Sequence, residues 1–180
     1  MLFETKISIA MRLPFLLYLL LSTLLTGCTT ILGIQSNVRV VDKPPFERIL
    51  VVSRLPNVEP GYATTFVGAF PSQYTVCSVD ISPIAFETPD ELIDRQLKEC
   101  NSQVMLTLDL NRNFSGGSGK YIRGYNNIYL EMTNLATGKP FWKAIVLSDV
   151  TELWPHEIVR QLVKDGVLSG KIPVSNPRYR

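Results

Sequence analysis

The 180-residue sequence contains one histidine, His156, and only three cysteines. A single imidazole excludes two-histidine metal sites, and with so few thiols a zinc site would have to recruit carboxylates. No G-x-S-x-G tract is present to raise a serine nucleophile. Internal repeats and low-complexity tracts are also lacking. His156 falls at the start of the last predicted helix, a surface position rather than that of a base. The stretch "FSGGSGKY" ends in Gly119-Lys120, but Phe114 stands where a phosphate loop needs its first glycine, and Tyr121 where it needs a magnesium-holding hydroxyl. It reads as a loop. Charge is missing altogether between Leu13 and Val38.

What fills that uncharged region is an apolar run, "LPFLLYLLLSTLL" (Leu13–Leu25), preceded by Lys6 and Arg12. A positive start, a short apolar segment and a small residue at the end describe a secretory signal peptide. A retained membrane span needs about 20 apolar residues. Thr26, Gly27, Thr29, Thr30, Gly33, Gln35, Ser36 and Asn37 follow Leu25 and make the second half too polar for one.

The end of the run, Leu25-Thr26-Gly27-Cys28, resembles the lipobox of bacterial lipoproteins. The resemblance implies that residues 1–27 are removed, that the Cys28 thiol carries a diacylglycerol, and that the new amino terminus is acylated, typically with palmitate. Gly27 leaves the thiol sterically open, and two or three acyl chains anchor stably where one is marginal. Thr29 is not the aspartate that retains such proteins at the inner membrane. The implied address is therefore the cell envelope, at the outer membrane and facing the periplasm. Translation starts at Met1 or at Met11.

Removing Lys6, Arg12 and Glu4 from the 18 basic and 16 acidic residues leaves side chains that net +1 over residues 28–180. That balance, without a basic stripe, gives no footprint for nucleic acid. Residues 28–47 read as a tether ending in "DKPPF", residues 48–168 as one α/β domain, and residues 169–180 as a flexible tail with Lys171, Arg178 and Arg180. Fully extended, Thr29–Glu47 would reach about 60 Å.

Within the domain, "RILVVS" (Arg48–Ser53) has the continuous β-branched character of a strand covered on both faces. Tyr62–Phe70 reads as a short helix and Tyr74–Ile81 as a strand. Thr88, Pro89 and Glu91 form a capping box ahead of a helix ending at Cys100. "SQVMLTLDL" is the next strand, and "YNNIYLEMTNLATGKPFWKAIVLSDV" a hairpin with Asn and Gly at its turn. "PHEIVRQLVKDG" closes the domain as a helix. The predicted fold is an α/β (α+β) two-layer sandwich, a mixed sheet with helices packed on it, in the order β-(α)-β-α-β-β-β-α. Cys77 alternates with Thr75, Val79 and Ile81, and Cys100 shares a helix face with Ile93 and Leu97. Both thiols then occupy the layer between helix and sheet, as a disulfide or as two buried thiols. Neither is placed as an accessible nucleophile.

The hairpin "NLATGKPFW" and the helix "IVRQLVKDGVL" are similar to the corresponding parts of the TolB amino-terminal domain. They also resemble lipoproteins that activate penicillin-binding proteins, with Asn134 where that family often has aspartate. The tether is short for an activator that must reach across the periplasm. The expected function is a non-enzymatic binding or assembly module of the envelope, without cofactor or metal. Its expected partner is an envelope protein or peptidoglycan, docked on Tyr121, Tyr125, Tyr129, Phe141 and Trp142 or on a sheet edge. The competing reading is a small envelope hydrolase with an unrecognised carboxylate site, which requires acidic residues converging in a pocket with raised pKa. Intact mass of the native protein is expected to show a chain that starts at an acylated Cys28. An unmodified Cys28, or a retained Leu13–Gly27, would contradict the lipobox reading.

Overall fold

A computed structural model describes residues 31–116 and 123–174. Six strands and two α-helices are present among them: β1 (Ile31–Val38), β2 (Arg48–Ser53), β3 (Thr75–Asp80), α1 (Pro89–Cys100), β4 (Val104–Gly116), β5 (Arg123–Asn134), β6 (Lys139–Ser148) and α2 (Pro155–Lys164). A 3-10 segment, Tyr62–Phe66, lies where a short helix is predicted. The strands form one sheet in the order β1-β6-β5-β4-β2-β3. β2 is parallel to both β3 and β4, and the remaining pairs are antiparallel. From Arg48 onward the element order is the predicted one, and the sheet is mixed as expected.

β2 organises the interior. Ile49, Leu50, Val51 and Val52 are each 0% exposed. Successive strand residues point to opposite faces, so Ile49 and Val51 enter a large core while Leu50 and Val52 enter a second, smaller one. The large core takes Phe66 from the 3-10 segment, Ile158, Val159 and Leu162 from α2, and Ile128, Leu130, Met132, Ala144 and Val146 from the β5–β6 hairpin. The small core holds Ile93 and Leu97 of α1 with Cys77, Val79 and Met105. Most of the sheet is thus two-layered, and α1 adds cover to the second face over β3, β2 and β4.

Local chemistry sets the boundaries. The Glu91 amide donates to Thr88 Oγ1 at 3.3 Å and the Thr88 amide to Glu91 Oε2 at 2.8 Å, completing the capping box at the start of α1. Asn101, at φ 48°, ends that helix in the left-handed region that asparagine tolerates. In the β5–β6 turn Asn134 Oδ1 accepts from the Ala136 amide at 3.0 Å and Gly138 takes φ +66°. The buried Tyr62 hydroxyl donates to the Leu153 carbonyl (2.9 Å) and accepts from the Leu153 amide (2.8 Å), tying the 3-10 segment to the approach to α2. Burial pushes that phenol far above its ordinary pKa.

Two readings of segment boundaries require correction. The stretch 28–47 is not a free tether: Ile31–Val38 is an edge strand antiparallel to β6. Its register shifts between Ile31 and Gly33, so the inward residues fall at Ile31, Ile34 and Val38, a spacing that hides the two-residue period. The segment 169–180 is not a free tail at its beginning. The Ser169 amide donates to Tyr74 Oη at 3.0 Å, Gln73 Nε2 donates to the Ser169 carbonyl at 3.0 Å, and Ile172 packs against the large core. Residues 175–180 lie outside the described residues, as does Cys28.

Cys77 on β3 and Cys100 at the end of α1 are disulfide-bonded, with Cα atoms 6.4 Å apart and a separation of 23 positions in sequence. The bond fastens an edge strand to the helix above it. A Cys77→Ser/Cys100→Ser double variant is expected to lose about 3 kcal/mol of stability in urea unfolding. Unchanged stability would mean that the bond restrains nothing.

Candidate docking cleft and sheet face

The aromatic residues expected to form one docking patch are divided by the fold. Phe141 and Trp142 are each 1% exposed. Trp142 pairs with Met132 and Pro140 with Thr133, leaving Phe141 as the extra residue of a bulge. A bulge breaks strict alternation, which lets two consecutive aromatics face the core. The Trp142 indole N–H donates to Asp165 Oδ2 at 2.7 Å, and Phe141 lies 5.9 Å from Phe46, centroid to centroid. These two residues are core, not docking surface. Tyr125 and Tyr129 are half-buried, and Tyr121 lies outside the described residues.

Tyr129 belongs to the part of the second sheet face that α1 does not reach. Its hydroxyl donates to Glu131 Oε2 (3.3 Å), Thr133 donates to Glu131 Oε1 (3.1 Å), and Lys143 Nζ pairs with Glu131 at 2.8 Å. The same ammonium stands 5.6 Å from the Tyr129 ring centroid. Burial would raise the Glu131 pKa, but Lys143 and the two hydroxyls outweigh it and hold the carboxyl below its usual range. Ile145 pairs with Tyr129 on one side and Gln35 on the other, and Leu147 lies between Asn127 and Gly33. Both are open to solvent, at 40% and 37%.

At the other end of β2 an open cleft of about 390 Å³ is lined by Lys43, Pro44, Pro45, Phe46, Glu47, Tyr74, Gln103 and Val167. Phe46 and Tyr74 form its aromatic wall, with centroids 5.8 Å apart. Gln103 Oε1 accepts from the Glu47 and Arg48 amides at 2.8 and 3.1 Å and fixes the floor. Lys43 Nζ donates to the Gly166 carbonyl at 2.6 Å, placing a cation just past the end of α2. Burial pushes the Tyr74 pKa up, but hydrogen bonds with Ser169 and Gln73 and the nearby Lys43 charge bring it below its ordinary value. These residues come from separate segments of the chain, and no motif announces the cleft. The paired prolines beside Phe46 are its one sequence signal.

Two carboxyls have raised pKa values, Asp80 and Asp109, each chiefly through burial. Asp80 Oδ1 accepts from the Ala63 amide at 2.9 Å, and Asp109 pairs with Arg54 at 3.8 Å. Asp80 alternates with Cys77 and Val79 and turns toward the 3-10 segment, on the large-core side. Asp109 follows inward-facing Leu108 and turns to the opposite face. Neither lines the cleft. His156 is half-buried in the first turn of α2, and its Nε2 has no hydrogen-bond partner among the described residues. No group of three or more metal-ligating side chains occurs among the described residues, nor any helix long and apolar enough to cross a membrane.

A carboxyl with a raised folded pKa contributes stability that is full below the unfolded value, about 4, and is lost as pH rises through the folded value. Asp80→Asn keeps an acceptor for the Ala63 amide and removes this cost. Between pH 4 and 7 the variant is expected to lose less thermal stability with rising pH than the parent chain, while the depressed Glu131 acts in the opposite sense in both. A steeper decline would reverse the assignment.

No protein-family profile matches the chain, and no characterised protein matches it in sequence. Solved structures with a similar chain path include PelC from Paraburkholderia phytofirmans in two crystal forms, both described as dodecamers. A point variant is 13% identical over 77% of this chain and 99% of that one, with a TM-score of 0.40. The other form is 12% identical over 74% and 92%, with a TM-score of 0.38. Lipoprotein GNA1162 from Neisseria meningitidis is 14% identical over 67% of this chain and 94% of that one, with a TM-score of 0.32. Likeness at this distance carries no argument about function.

Proposed function

We propose that the chain is a lipid-anchored protein of the bacterial envelope. Its domain binds a partner rather than catalysing a reaction, and the Phe46–Tyr74 cleft receives that partner. The observation that carries the reading is the tract Leu25-Thr26-Gly27-Cys28 at the end of an apolar run, directly ahead of the first strand at Ile31. The Cys77–Cys100 bond fits an oxidising compartment. The cleft has the size of a small binding site, an aromatic wall and a few polar groups for orientation. It lies at the sheet end where β1 finishes and β2 begins, away from the lipidated side of the chain. A partner in the aqueous space of the envelope would meet it unobstructed.

Support for binding over hydrolysis comes from the two acids with raised pKa. Neither lines the cleft, whose one carboxylate among the described residues is Glu47, and carboxylate chemistry on a bound molecule needs a pair. A photo-crosslinking residue at Pro45, in living cells, is expected to capture a discrete envelope component that the same residue at Lys98 of α1 does not. Hydrolysis of a peptidoglycan fragment or an ester by the purified protein, abolished by one carboxylate change, would replace this reading with an enzymatic one.

A further inference from the structure

Only Thr29 and Thr30 separate Cys28 from the first residue of β1. Three residue steps, even fully extended, span about 10 Å, so an acylated Cys28 would keep the start of β1 within that distance of the headgroups. Three aliphatic side chains are open at this corner of the sheet, beside the polar Gln35 and Asn127. Leu32 is the extra residue where the β1 register shifts, and it is 51% exposed at the strand edge. Next to it, Leu147 pairs with Gly33, where no Cβ screens it, and Ile145 follows two residues along on the same face. On the other side of Ile145 stands the Tyr129 ring, an amphipathic group of the kind that settles at a membrane interface.

Elsewhere on this face α1 covers β3, β2 and β4, but it does not extend over β1 and β6. Solvent would have to wet three branched aliphatic side chains beside the one point where the chain is held to lipid. We propose that Leu32, Ile145 and Leu147 seat in the interfacial layer of the bilayer that holds the Cys28 acyl chains. The domain would then lie on the membrane in a fixed orientation instead of swinging from a tether. Burial of apolar area at the bilayer adds to the acyl anchor and selects this face over others. The inference rests on the lipid-anchor reading above.

The test uses the full chain, processed natively and reconstituted into phosphatidylethanolamine/phosphatidylglycerol vesicles. Leu32→Cys, Leu147→Cys and Val67→Cys variants each carry an environment-sensitive fluorophore on the new thiol. Val67 is an exposed residue beside the 3-10 segment on the opposite side of the sheet. Labels at Leu32 and Leu147 are expected to shift to the blue and to lose half or more of their emission to a quencher carried on lipid acyl chains. The label at Val67 should keep its emission. Equal, water-like emission at all three sites, on protein whose mass shows an acylated Cys28, overturns the seating and leaves the anchor standing. A mass without acyl groups overturns both.

Discussion

The fold depends on one strand that must be kept from water on both faces. Ile49, Leu50, Val51 and Val52 are all fully buried, so neither face of β2 can be left open. One face demands the aromatic and aliphatic cover brought by Phe66 and α2. The other demands α1, which the parallel connection from β3 to β4 supplies by carrying the helix back across the sheet. The disulfide fixes that return at its end. With β2 enclosed, the antiparallel half of the sheet is free to leave one face open.

The parts of this plan that follow strict periods or strong caps are legible in the chain. The run at Arg48–Ser53, the capping box at Thr88–Glu91, the alternating hairpin and the Pro-to-Gly frame of α2 each carry a local reason for their conformation. Bulges are what the pattern conceals. One at Leu32 spaces the inward residues of β1 irregularly, so a strand resembles a linker. Another at Phe141 turns two adjacent aromatics inward, where alternation would leave one outside. The cleft is hidden for a different reason. It is assembled by tertiary contact between Lys43–Glu47, Tyr74, Gln103 and Val167, which share no spacing in the chain.

The proposed binding role divides the sheet by length. Chain coming from Cys28 reaches the sheet at Ile31, and the Phe46–Tyr74 cleft opens past the far end of β1, where Val38 pairs with Trp142. Eight residues of strand, at about 3.3 Å each, separate the two. On that proposal anchoring and recognition would fall at opposite ends of the sheet, with the polar cluster of Glu131, Lys143 and Tyr129 between them.

The placement of β1 also imposes an order of assembly. Ile34 pairs with Val146, so the first described strand has its sheet neighbour, among the described residues, near the end of the domain. Long-range pairing of this kind pays its loop-closure entropy late and slows folding. Until the β5–β6 hairpin has formed, Ile31, Ile34 and Val38 have nothing to dock against, and the outer edge of β6 is equally bare. A chain threaded out amino end first would hold an unpaired apolar strand through most of its emergence. Among the described strands β1 is made first and cannot pair until β6 exists, and over that interval it is open to pairing with another chain of its kind.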